Sequence, residues 1–269
     1  MHREINKQSG SFQISMSALL TNESIPDVDA EYLLGVLGGL GPLASAEFVK
    51  TIYEYSVGTG EQRSPAVIMY SDPAFPDRTE TLLSGSYENL LTRLIDALEL
   101  LSERNVSEVV ICCVTIHYLL PELPSHLREK VSSLLDPIME SVSEMGTKQL
   151  MLCSNGVRQL GLFERHPVWQ RAGQYIVMPE ADDQQRIHTL IYDIKRNRDL
   201  DSVSAALEEL FVKYRVDGFI AGCTEIHLLS KYFMSATEKH RRYQCTDPLL
   251  IMAQRVANRR LKHVAGGRR

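Results

Sequence analysis

The chain has 269 residues, 44% of them hydrophobic, and a formal net charge of −5 at neutral pH. That supplies apolar side chains for one large or two modest domains, while mild acidity and the lack of a dominant basic stripe argue against a nucleic-acid partner. No apolar run reaches the roughly 18 residues that span a bilayer, and the polar N-terminal segment offers no apolar signal core. Five cysteines, two of them adjacent, do not form a disulfide framework and fit a reducing, cytoplasmic setting.

In chain order, Tyr32 to Gly38 reads as a first buried strand, followed by a glycine turn at Gly38, Gly39 and Gly41. Pro42 suits the first turn of a helix running to Tyr55, because its missing N–H would be unpaired there anyway. Ala66 to Tyr70 is a second strand, ending in a polar loop from Ser71 to Thr79. Between Tyr87 and Arg104, Leu90, Leu91, Leu94, Ile95, Leu98 and Leu101 form the stripe of an amphipathic helix. Ser107 to Cys113 is a third strand, and the helix after it is expected to stop before Pro121. Asp136-Pro137 reads as an N-cap with proline at the first helical position, opening a helix to Met145.

The pattern then restarts. Gln149 to Cys153 is a strand, Ser154-Asn155-Gly156 a turn into a helix, and Tyr175 to Met178 another strand. Helices are predicted over Asp182 to Arg196 and Val203 to Tyr214, then a strand from Val216 to Gly222. Thr246-Asp247-Pro248 caps a last helix to about Leu261, and the arginine-rich end after it reads as a frayed tail. Strands alternating with helices predict parallel sheets with function at the carboxyl ends of the strands, where Gly41, Arg78, Cys113 and Cys223 all fall.

Cys113-Val-Thr-Ile-His117 and Cys223-Thr-Glu-Ile-His227 repeat one local frame 110 positions apart, about the size of a small α/β half-domain. A lone cysteine of this kind is usually a small core hydrophobe. Its repetition at a second strand end instead suggests two matched lobes aiming one thiol each at a shared cleft. A thiol at the start of a helix receives the positive end of the helix dipole, which favours thiolate. Cys112, Cys153 and Cys245 lack such a partner and read as structural. Zinc held by Cys113, His117, Cys223 and His227 competes, but zinc sites of that composition take ligands from short knuckles rather than from the ends of long apolar strands. The expectation is no metal.

Gly39-Leu40-Gly41-Pro42-Leu43-Ala44 fits a dinucleotide fingerprint after a strand. Pro42 removes an amide that would bind phosphate, however, and no acidic residue ends the second strand. A turn that lets backbone amides approach a small carboxylate is preferred. Arg78 is either a surface arginine or a carboxylate clamp presented by a loop held by Pro73 and Pro76. Lys195 either complements the dipole of its helix or reaches the cleft to bind a second carboxylate.

Four ordered motifs carry a family resemblance: Gly38-Gly39-Leu40-Gly41-Pro42, Phe75-Pro76-Asp77-Arg78-Thr79, Cys113-Val114-Thr115-Ile116-His117 and Gly222-Cys223-Thr224-Glu225. Over roughly residues 33 to 262 the chain resembles the aspartate/glutamate racemase superfamily, and most its cofactor-independent aspartate racemase branch. The resemblance implies two pseudo-symmetric flavodoxin-like α/β lobes, each a parallel sheet flanked by helices, with the active site between them. Lobe 1 would cover 32–131 plus 241–263 and lobe 2 132–240, with a flexible extension at 1–31 and a flexible tail at 264–269. No pyridoxal phosphate and no metal are implied. Cys113 and Cys223 would be paired acid and base. Arg78 and Lys195 would hold the distal carboxylate, and Thr115 and Thr224, with Gly41 and Gly156 at the turns, the α-carboxylate. Glu225 and His227 would tune Cys223, although a buried, satisfied histidine is as ready a reading of His227.

Two departures stand out. Val114 replaces the family's asparagine, and the second-lobe turn reads Gly156-Val157-Arg158 where a threonine usually follows glycine. Both remove polar contacts to an amino acid's head. The expected partner is a small dicarboxylic amino acid, aspartate ahead of glutamate, with no nucleic acid and no membrane, and with a homodimer as an assembly the reading allows. Rivals are glutamate racemisation, maleate isomerisation or malonate decarboxylation on the same scaffold, and a non-catalytic carboxylate binder.

Overall fold

The computed structural model describes residues 32–56, 60–235 and 243–266, and these form two four-stranded parallel sheets. The expected extension over 1–31 and the final residues 267–269 lie outside the described residues. In the first sheet β1 (Leu33–Gly38), β2 (Ala66–Ser71), β3 (Glu108–Ile111) and β4 (Val131–Ser132) take the order β2-β1-β3-β4. In the second, β5 (Gln149–Leu152), β6 (Ile176–Val177), β7 (Gly218–Ala221) and β8 (Gln244–Thr246) take the order β6-β5-β7-β8. One winding is used twice, with β1 and β3 answering to β5 and β7. The two-lobe α/β architecture expected from the repeated cysteine motif is therefore the one observed.

The strands are short apolar runs because both of their faces are covered. Each residue of β5 and of β7 is buried, as is β1 beyond its first residue. Helices α1 (Pro42–Ser56), α2 (Arg78–Ser84), α3 (Glu88–Ser102), α4 (Ser125–Arg128) and α5 (Leu135–Met145) accompany the first sheet or lead out of it. The short α6 (Asn155–Gln159) and α7 (Trp169–Ala172) follow, then α8 (Ala181–Lys195), α9 (Leu200–Tyr214), α10 (Ile226–Ser235) and α11 (Pro248–Gly266). In α3 the buried residues Leu90, Leu94, Ala97, Leu98 and Leu101 recur at helical spacing, so one stripe packs and the other faces water. No helix of the described residues is long and apolar enough to cross a membrane.

The core explains why the described residues form one compact unit. The outer face of each sheet has its own apolar cluster, with α3 over the first and α8 and α9 over the second. A third cluster is common to both lobes. It joins Leu34, Val36, Phe48, Ile52 and Val110 of the first lobe to Met151, Cys153, Val157 and Ile220 of the second, and α11 completes it with Leu249, Met252, Ala253 and Val256. Burying each such large side chain stabilises by about 1.5–3 kcal/mol.

Several local expectations change. Arg78 does not sit in a loop: it opens α2, whose N-cap is Asp77, with Oδ1 accepting the Glu80 amide at 3.0 Å. The coil after Cys113 does not stop before Pro121. It is a 3-10 helix over Thr115–Glu122 that contains that proline, since its i→i+3 ladder is not the one a proline ring obstructs. Asp136 is not the cap of α5. Ser133 Oγ accepts the amides of Leu135 and Asp136 at 3.1 and 3.2 Å instead. The return to the first lobe, expected at residue 241, comes after Thr246, because β8 pairs with β7. The last helix then continues to Gly266, past Leu261 and into the stretch expected to be a tail. Its cap is as predicted, with Asp247 Oδ1 accepting the amides of Leu249 and Leu250.

Candidate active site

Both repeated cysteines stand two residues beyond a strand end, Cys113 after β3 and Cys223 after β7, and both are buried, with 7% and 6% of their surface exposed. Parallel sheets gather the loops after their strands at one edge. The residues following β1, β2, β3, β5 and β7 accordingly meet there. Thr224 Oγ1 donates to the carbonyl of Cys112 at 3.1 Å, tying the second thiol's loop to the first. Thr115 and Ser154 hydroxyls lie 3.4 Å apart across the same boundary. Thr115 and Thr224 thus spend their hydroxyls on the lobe junction.

The two thiols have different surroundings. Cys113 is near enough to the Arg78 guanidinium for the two to interact. Cys223 Sγ donates its hydrogen to Glu225 Oε2 at 2.8 Å. Burial, reinforced by that carboxylate, pushes the Cys223 thiol well above the ordinary cysteine range, with Lys195 opposing. The thiolate expected at a helix start is therefore not favoured at Cys223, where desolvation and an anion outweigh the dipole. Cys153, by burial, is pushed up to about 12, and burial likewise raises Cys112 and Cys245.

Arg78 is buried. Nη1 donates to the carbonyls of Pro76 at 2.9 Å and Phe75 at 3.4 Å, and Nη2 to that of Leu40. The guanidinium thus staples the loop after β1 to the loop after β2, and its fork is not free to clasp a carboxylate bidentately. Only Nε is left without a hydrogen-bond partner. Burial works against its charge, but Cys113, Asp77 and Glu225 hold it protonated.

Lys195, at the end of α8, comes close to Glu225 and Tyr192. Nζ stands 3.9 Å from Glu225 Oε1 and 4.3 Å from the centre of the Tyr192 ring. Burial opposes its charge and Glu225, Cys223 and Tyr192 restore it, with Arg78 near enough to repel. Tyr192 itself donates to Asp77 Oδ2 at 2.6 Å, so α8 of the second lobe is fastened to the start of α2 in the first. Neither Tyr192 nor Asp77 emerged from the sequence as part of a site. The spacing Asp77-x-x-Glu80 in front of an apolar pair is the cap signal that could have placed Arg78 on a helix.

The glycines are occupied by protein. A Cβ on Gly39, whose φ is 86°, would collide with the Asp72 backbone, and one on Gly41 would stand 2.4 Å from Glu225 Oε1. The carboxylate that approaches the first glycine turn is thus the chain's own. A Cβ on Gly156 would meet Thr79 Oγ1 at 2.8 Å and Thr79 Cα at 3.1 Å, which makes Gly156 the close-approach point of α6 and α2.

His227 gives its ring nitrogens to partners other than Cys223. It is fully buried, with Nδ1 2.8 Å from Asp247 Oδ2 and Nε2 3.1 Å from Thr51 Oγ1. His117 is engaged on both nitrogens too, by the Cys113 carbonyl and the Leu134 amide. With all four ring nitrogens committed, Cys113, His117, Cys223 and His227 do not converge as a ligand set, and no group of three or more metal-ligating side chains occurs among the described residues.

Residues 37–256 match the model of the Asp/Glu/Hydantoin racemase family. Among solved structures the fold is similar to that of Picrophilus torridus aspartate racemase, at 20% identity over 85% of this chain and 94% of that one, with a TM-score of 0.69. An aspartate racemase homologue from Pyrococcus horikoshii OT3 aligns at 16% identity over 86% and 99% of the two chains, TM-score 0.60. Glutamate racemase from Francisella tularensis, solved with D-glutamate, aligns at 13% identity over 87% and 82%, TM-score 0.59.

Proposed function

The chain belongs to the Asp/Glu/Hydantoin racemase family, and on that premise we propose that it is a cytoplasmic racemase that inverts the α-carbon of aspartate without pyridoxal phosphate or metal. The observation that carries the reading is the inequality of the two thiols. Cys113 faces a guanidinium, the counter-charge a thiolate needs, and Cys223 holds its hydrogen on a carboxylate. A thiol beside a cation and a thiol donating to a carboxylate suit opposite roles in a proton exchange.

In the forward step the Cys113 thiolate takes the α-proton, breaking C–H and forming S–H. The Cys223 thiol then delivers its hydrogen to the opposite face of the carbanion, leaving a thiolate. The reverse direction exchanges the roles. Acid–base help of this kind contributes typically 10²–10⁴-fold, so most of the barrier must be lowered by charge fixed on the carboxylates in a dry cleft. Arg78 Nε and Lys195 Nζ are the cations placed for that, and two of them suit a substrate with two carboxylates.

The test is incubation with L-aspartate in D₂O without added cofactor, following deuterium at Cα together with optical rotation. Both should change, and Cys113→Ala or Cys223→Ala should each abolish inversion. A single mutant that still racemises fully removes the two-thiol mechanism. A second reading, chemistry on a dicarboxylate without nitrogen, is favoured by Val114 and Val157, whose side chains are buried in the central core and offer no polar contact to an amino group. Exchange on neither aspartate nor glutamate would select it.

A further inference from the structure

Two polar atoms beside the paired cysteines are buried with nothing bonded to them. One is Glu225 Oε1, an anionic acceptor, and the other Arg78 Nε, a cationic donor. Leaving either unpaired costs on the order of 1–3 kcal/mol, more where the group is charged. Groups left this way in a folded chain call for a partner such as a ligand, an ion or a water. The nearest cation to Glu225 Oε1 is Lys195 Nζ at 3.9 Å, beyond hydrogen-bond reach. The other oxygen of the same carboxylate is committed to Cys223. On its far side Oε1 rests where Gly41 lacks a Cβ.

The ligand that satisfies both orphans has a positive donor at one end and a negative acceptor at the other, as a zwitterion does. Resting on the proposed racemase function, we infer that Glu225 Oε1 is the receptor for the substrate's α-ammonium, with Arg78 Nε receiving a carboxylate. Glu225 is then a specificity-determining residue that selects amino dicarboxylates over dicarboxylates lacking the nitrogen. It takes over the contact that Val114 and Val157, turned into the core, do not make.

Binding exchanges one long ion pair for two short ones. The substrate ammonium goes onto Glu225 Oε1, and the Lys195 ammonium is released to a substrate carboxylate. Charge-assisted bonds of this type are short and about twice as strong as neutral ones. The thiol hydrogen on Oε2 stays in place, so the group that binds nitrogen also holds the proton that Cys223 delivers.

Two substitutions test the idea. Glu225→Gln keeps the volume and removes the charge. Gly41→Ala leaves Glu225 in the chain but puts a methyl group where Oε1 now lies. Titration calorimetry with L-aspartate and with succinate, which differ only in the amino group, reads the preference directly. Wild-type protein should bind aspartate at least roughly tenfold more tightly than succinate. In both variants that ratio should collapse to about one, with succinate affinity retained.

Loss of affinity for both ligands by the same factor would make Glu225 a structural residue and overturn the assignment, as would an unchanged ratio in either folded variant. A wild-type ratio near one, alongside deuterium exchange on aspartate, would sink the ammonium receptor and leave the racemase reading standing. Wild-type protein that neither binds nor exchanges an amino dicarboxylate would overturn both.

Discussion

The protonation state of His117 is dictated by its two neighbours. Nδ1 lies 2.8 Å from the Cys113 carbonyl and so carries the hydrogen, while Nε2 accepts the Leu134 amide at 3.0 Å. A second proton would set two N–H groups against one another. Burial pushes this imidazole down to about 4, with nearby carbonyls opposing, against about 6.5 for an unfolded histidine. Between those values the unfolded chain binds a proton that the folded chain refuses, so stability falls as pH drops through the window and is complete above it. Taken alone, the difference amounts to about 3 kcal/mol at its limit. His117→Gln, which cannot titrate, should flatten the dependence of the urea midpoint on pH between about 4 and 6.5, whatever its effect on absolute stability. Parallel curves for wild type and variant would assign the acid sensitivity to other groups.

At the scale of elements, the active edge depends on how closely α6 approaches α2. With Thr79 Cα only 3.1 Å from a Cβ placed on Gly156, backbone as well as side chain would have to move. Gly156→Ala should therefore destabilise by about 1–3 kcal/mol through overpacking. Because α2 carries Arg78, the same variant should raise the KM for aspartate. Unchanged KM and unchanged urea midpoint together would mean that the helices part without consequence. The same elements show what could be read in advance. Strands β1, β3, β5 and β7 were legible because buried parallel strands are apolar runs, and the duplicated motif located both thiols. Val131–Ser132 and Gln244–Thr246 are too short and too polar to announce themselves, so the end of the second lobe was misplaced. Pro73 and Pro76 point to a held loop around Arg78, and only the cap signal of Asp77 distinguishes the helix start from it. The pairings Tyr192–Asp77, Asp247–His227 and Thr51–His227 carry no local signal, since the partners lie 115, 20 and 176 positions apart in sequence.

At the scale of the molecule, the shared central cluster makes the lobes one cooperative body, and Asp247 is where its polar fastening concentrates. Its Oδ1 caps α11, and its Oδ2 pairs with His227 on α10, whose other nitrogen meets Thr51 on α1. Elements of both lobes and the closing helix thus converge on one carboxylate that is 1% exposed. Burial opposes its charge, but His227, Ser230 and the Leu250 amide hold it below the usual carboxylate range. Asp247→Ala would strip the cap and strand an imidazole in the core, a loss on the order of 3–5 kcal/mol. That is a large share of the 5–15 kcal/mol typical of a folded chain. Asp247→Asn, which can still cap and still accept from His227, should lose clearly less. The single tryptophan, Trp169, packs against the central cluster from the second lobe, so its fluorescence reports that lobe while far-ultraviolet circular dichroism reports both. If the cluster unites them, the two signals should follow one denaturation curve in wild type and again, at lower urea, in Asp247→Ala. Fluorescence and ellipticity midpoints that separate in the wild type would show that the lobes unfold independently and that the shared core does not couple them.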